Sequence, residues 1–145
     1  MTAPVVTMQD LESMKVMETA FSRNFFKNYE GGEDKAKNAF KKAAGFFNGC
    51  SIFHKQSQWE AKVKVNAPPA EQAKALLDFC SAALPVMKKA FGEDVILQVL
   101  PAEVKEQRMI DLCRAFGNND LAAFCEKARG LPQVSHSRKH LRPSV

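Results

Sequence analysis

Apolar residues recur every three or four positions through most of this chain, and in one stretch they recur every two. The first spacing lines one face of a helix, and the second alternates across the two faces of a strand. A chain carrying both periods either combines helices with a sheet or overrules one of its own signals. The short-period stretch is Gln58-Trp59-Glu60-Ala61-Lys62-Val63-Lys64-Val65. As a half-buried strand it turns Trp59, Ala61, Val63 and Val65 inward, with Glu60, Lys62 and Lys64 in water. Val95-Ile96-Leu97-Gln98-Val99-Leu100, aliphatic and held between Asp94 and Pro101, reads as a second strand.

The other segments read as helices. Over 8–29, Leu11, Met14, Met17, Phe21, Phe25 and Tyr29 share a face, Thr7 and Asp10 suggest a capping box, and Gly31-Gly32 ends the run. A second helix is expected over 33–47, with Ala36, Phe40, Ala43 and Phe47 on its apolar face and Asn48-Gly49 as its stop. Pro68-Pro69 open a third, whose stripe from Leu76 to Phe91 closes at Gly92 and which Pro85 should kink or split. Residues 102–116 and 120–129 form a helical hairpin across Gly117-Asn118-Asn119. The expected fold is α+β and helix-rich, about five helices with a strand–helix–strand unit in 58–100. The alternative is an all-α bundle. Residues 1–132 are expected to form one globular domain, and 133–145 a flexible basic tail.

Composition narrows the class. Phe occurs eleven times against one Tyr and one Trp, and seven of the eleven lie in the first 60 residues. Phe has no polar handle, so this excess favours a dry core or a greasy contact surface. No apolar run approaches the roughly 18 residues needed to span a bilayer, and the first residues lack a secretory signal. The expected location is intracellular, cytoplasmic or nuclear. Cys80, Cys113 and Cys125 fall on apolar stripes, as reduced core thiols do.

Charge is unevenly placed. The net charge is +5, with seven basic and three acidic residues in 31–66 and three basic and no acidic residues in 131–145. Lys35, Lys41, Lys42, Lys62 and Lys64, with Arg138, Lys139 and Arg142 of the tail, are the candidate anion- or nucleic-acid-binding residues. The competing reading is a plain solvated face, since Arg is absent from 31–66.

Catalytic signatures are absent: there is no GxGxxG, Walker loop, HExxH or G-x-S-x-G. Cys113 and Cys125 stand twelve apart and do not make a zinc knuckle with His136 and His140. No metal and no cofactor are expected. Cys50 and His54 are the one nucleophile–base pair near in sequence, with no orienting third group. The favoured function is a non-catalytic intracellular interaction module, adaptor or regulatory. It would bind a protein partner through the Met/Phe face of the first helix, with Met14, Met17, Phe21 and Phe25 as contact residues. Nucleic-acid or phosphate-ligand binding through the lysines and tail is the alternative, and a Cys50-dependent enzyme the third reading.

Overall fold

The computed structural model describes residues 5–21 and 23–130. It is built from helices α1 (Met8–Met17), α2 (Arg23–Asn28), α3 (Glu33–Ala44), α4 (Phe46–Lys64), α5 (Pro69–Phe91), α6 (Glu93–Val99), α7 (Gln107–Ala115) and α8 (Asn119–Arg129). Two 3-10 turns lie at Glu18–Ala20 and Ala102–Lys105. Among the described residues there is no strand, so the all-α alternative holds and the strand–helix–strand unit does not. The basic tail, with Arg138, Lys139 and Arg142, lies outside the described residues.

The alternating stretch sits in the second half of α4. Its inward set is divided: Trp59 is half-buried, while Ala61 and Val65 are exposed. The residues α4 buries are Gly49, Ile52 and Gln56, and Trp59 continues that face at helical spacing. A polar residue, Gln56, occupies a core position on this face and hides the longer period. The second expected strand is α6, a two-turn helix. Glu93 and Asp94 occupy its first turn, where negative charge suits the helix dipole. Val95, Ile96 and Leu97 are buried against α5 and α8, and among the described residues there is no strand for the segment to pair with.

Helix α5 is the centre of the molecule. Gln72, Ala73, Leu76, Leu77, Phe79, Cys80, Ala83, Leu84, Val86 and Met87 are all buried, so the core contact covers about half of its circumference, with Glu71, Lys74, Asp78, Pro85 and Lys89 on the other half. α1, α3, α4, α6 and α8 all pack on it, α4 most extensively. Pro85 neither splits nor ends the helix. Its ring faces solvent, so only the missing N–H and its carbonyl partner are affected. Phe25, Phe26, Tyr29, Phe40 and Phe91 form a ring cluster joining α2, α3 and α5, with centroids 4.7–6.3 Å apart. This cluster accounts for much of the Phe excess.

Three boundaries differ from expectation for backbone reasons. The helix expected over 102–116 is broken at Glu106, whose extended backbone (φ −73°, ψ 148°) separates the 3-10 turn Ala102–Lys105 from α7. The helix expected over 8–29 is interrupted after Met17, where Thr19 Oγ1 donates to the Val16 carbonyl at 2.7 Å and competes with the helical ladder. The stop after α3 is Gly45, not Asn48-Gly49. Gly45 takes φ 78° and ψ 169°, a region essentially restricted to glycine. Gly49 is an interior residue of α4. The α4–α5 turn closes on Asn66 at φ 53°, with Ala67 N–H donating to the Lys62 carbonyl and Asn66 N–H to that of Val63. That pair of bonds is a Schellman cap.

The capping box at α1 is complete. Asp10 N–H donates to Thr7 Oγ1, and Thr7 N–H donates to Asp10 Oδ2, both at 3.0 Å. Arg108 of α7 donates to the same carboxylate at 2.8 and 3.2 Å and to the Val5 carbonyl at 2.9 Å, tying the chain's start to its last helical pair. The hydrogen bonds from Arg108, then those from Thr7, outweigh burial and lower the Asp10 carboxyl from 3.8 to about 2.

Because the folded value is the depressed one, this stabilisation is complete above about pH 4 and is lost as pH falls through 2. Arg108→Ala should remove the larger share of that pH-dependent part, no more than about 1 kcal/mol since Arg108 is solvated, and leave the share held by Thr7. Urea melts between pH 5 and 2 provide the check. A second pair of variants tests the α3–α4 boundary. A Cβ on Gly45 meets nothing within 4 Å, so Gly45→Ala should cost about 1–3 kcal/mol through the backbone alone. Gly49→Ala, whose Cβ would stand 3.9 Å from that of Ala44, should be neutral or stabilise by up to about 1 kcal/mol. The opposite order would move the break back to Asn48-Gly49.

Candidate functional site

The break at Gly45 decides where two phenylalanines go. Had α3 continued, Phe47 would have extended the face of Ala36, Phe40 and Ala43 into the core. The sharp turn instead starts α4 on a new axis, and Phe46 and Phe47 project into water at 77% and 85% exposure. Their rings meet edge to face with centroids 5.3 Å apart. Phe53, two turns further along α4, is 38% exposed and leans on buried Phe40 at 5.6 Å. Exposed Cys50 sits between them. Most large apolar residues elsewhere in the described chain are at least half-buried, so this corner is unusual.

Lysines flank it. Lys41 and Lys42 lie in the last turn of α3, both exposed, and Lys35 lies further back on the same helix. Among the described residues, none of these three forms an ion pair, nor does Lys55 of α4. Lys37, by contrast, is held by Glu33 at 3.5 Å. Lys62 reaches across the α4–α5 turn to Glu71 at 3.0 Å. The expected lysine set is therefore divided. Lys41 and Lys42 belong to the corner, and Lys35 lies in the first turn of α3, about 15 Å back along its axis from Gly45 at 1.5 Å per residue. Lys62 and Lys64 lie at the far end of α4, about 24–27 Å along its axis from Phe46.

The first helix does not offer the face expected of it. Met14 and Met17 are fully buried, and Phe21 and Phe25 are 1% and 2% exposed. All four are core. The signal for the exposed pair was present in the sequence as Lys41-Lys42 and Phe46-Phe47 on either side of a glycine, but it required Gly45 to be read as the break.

The remaining clusters are chemically quiet. Cys50 and His54 lie one turn apart on the exposed face of α4, and among the described residues no hydrogen bond joins them. Cys80, Cys113 and Cys125 are buried and unpaired. Burial pushes the Cys80 thiol up, and contact with Cys125 together with burial pushes up that of Cys113. Among the described residues no group of three His, Cys, Asp or Glu side chains is placed to hold a metal ion. A cleft of about 410 Å3 lies between α5 and α8, beside Ser81, Pro85 and Phe124. Three of its four charged side chains, Asp120 apart, are engaged: Lys127 binds Glu93 at 2.7 Å, and Lys88 lies over the Phe124 ring, 5.8 Å from its centroid. The Lys127 hydrogen bond lowers the Glu93 carboxyl below its ordinary value.

The chain matches no protein-family model, no curated protein and no solved structure. Among the described residues no helix is long and apolar enough to cross a membrane.

Substitution should separate core rings from corner rings. Phe25→Ala is expected to cost about 3–5 kcal/mol, as for other buried phenylalanines. Phe47→Ser should leave stability within about 0.5 kcal/mol. Chemical denaturation of the two variants checks both, and a large loss from Phe47→Ser would show that its ring is not free.

Proposed function

We propose that this chain is a non-catalytic docking module whose recognition surface is the α3–α4 corner. The observation that carries this reading is the exposure of Phe46 and Phe47. Two adjacent rings left in water forgo about 1.5–3 kcal/mol each, which a partner recovers by covering them. Tyr- or Trp-type hydrogen bonding plays no part, so the contact is an apolar one. Free ammonium groups at Lys35, Lys41 and Lys42 favour a partner with negative charge beside its apolar surface. Three buried, unpaired thiols agree with a reducing, intracellular setting.

A second reading is favoured by one specific feature. Exposed aromatics beside unpaired lysines also suit a single-stranded nucleic acid, whose bases stack on rings while phosphates meet cations. It lacks Arg at the corner and lacks a continuous cationic track, since Lys62 is tied to Glu71.

The double substitution Phe46→Ser/Phe47→Ser tests the docking reading. Its circular dichroism and melting temperature should match the parent, because both rings are solvated. Affinity capture from native lysate, with and without nuclease and detergent, should retain material on the parent that the variant loses. Equal retention on both would end the reading.

A further inference from the structure

Building on the corner as a docking surface, we propose that what covers it is the surface of an anionic lipid bilayer. Three features favour this occupant. The rings protrude from a one-residue turn at 77% and 85% exposure. A protruding pair needs a partner pocket of matching shape, or a deformable phase that makes room for it. The interfacial region of a bilayer is such a phase, and Phe is among the side chains that enter it.

Charge is the second feature. Lys41 and Lys42 stand in the last turn of α3, four to six residues before Phe46 and Phe47, with Lys35 and Lys55 further along the flanking helices, and none has an ion-pair partner among the described residues. Lysine stems lie along apolar surface while their ammonium groups stay at the level of the lipid phosphates. The acidic side chains of α3, Glu33 and Asp34, both lie in its first turn, at the end away from Gly45, and Glu33 is held by Lys37. A second copy of this chain would bring the same cations against these and is disfavoured.

The third feature is compactness. A nucleic-acid strand needs cations spread along its path, whereas Lys41 and Lys42 flank the exposed rings at one point, and Lys62 and Lys64 lie about 24–27 Å away along α4. A bilayer needs only one point of entry with charge around it. Apolar insertion and electrostatic attraction are two weak signals that together give reversible attachment without a spanning helix.

The test is co-sedimentation of the full chain with vesicles of phosphatidylcholine alone, or with about a third phosphatidylserine, at low and high salt. The parent should bind the serine-containing vesicles, bind phosphatidylcholine several-fold more weakly, and lose binding as salt rises. Phe46→Ser/Phe47→Ser and Lys41→Glu/Lys42→Glu should each weaken binding tenfold or more while keeping the parent's circular dichroism. Inositol hexakisphosphate as a free-phosphate probe, and single-stranded oligothymidine, complete the comparison. The proposal is overturned if the parent fails to sediment, or if the Phe variant sediments like the parent, which is adsorption by net charge alone. Tight binding of the free phosphate that ignores the Phe substitutions would likewise overturn it, and so would Phe-dependent oligothymidine binding without vesicle binding. Should vesicles fail while the Phe variant still loses a captured protein, the docking surface stands and its lipid identity falls. If both fail, the surface itself is refuted.

Discussion

Everything in this fold depends on the burial of α5. A helix with an unbroken apolar half cannot leave that face in water, and a 23-residue one needs neighbours along its whole length. The rest of the chain supplies them. α4 returns along α5 through the capped Asn66 turn, α1 and α3 cover further faces, and α6 and α8 cover others. Because each neighbour touches the same axis, the core is one contiguous cluster from Val6 to Ala128. This also explains the tolerance of Pro85. Its ring lies on the exposed edge, and the packing on the other faces holds the helix through the missing hydrogen bond.

The corner follows from the same constraint. Both α3 and α4 must reach α5, and a continuous helix over 33–64 would have extended about 48 Å in one direction. Gly45 lets the chain change axis in a single residue, and Phe46 and Phe47 are the residues on the outside of that change. Their exposure is thus a product of how the two helices share a support. The lysines of α3 come to the corner for the same reason, since the face opposite Ala36 and Phe40 is the one left to solvent.

Much of the helical structure was legible in the sequence. The Thr7–Asp10 box, the apolar stripes of α5, α7 and α8, Gly92 as a helix end and the buried cysteines all follow from local chemistry and period. What failed were competitions decided by tertiary packing. Alternation over 58–65 lost because the helix face Ile52–Gln56–Trp59 was already fixed by contact with α5, and nothing between Gly45 and Asn66 breaks the helix. Val95–Val99 lost because it had no strand to pair with. Asn48-Gly49 carries a stronger turn signature than Gly45, yet a glycine's dihedral angles are set by where the next helix must go. The candidate site shared that weakness. Met14, Met17, Phe21 and Phe25 have the composition of a sticky face, and only the position of α5 shows that they are filled from within. Phe47 had the composition of a core residue and is outside.

The four cysteines divide one against three, and that division sets how the molecule ages. Cys80, Cys113 and Cys125 are enclosed on α5, α7 and α8, out of reach of dissolved oxidants while the helices stay docked. Cys50 alone meets them, and it stands between the rings of the corner. Storage in air therefore reaches the α3–α4 corner before it reaches the fold. A preparation can melt normally and still have been covalently paired through that corner.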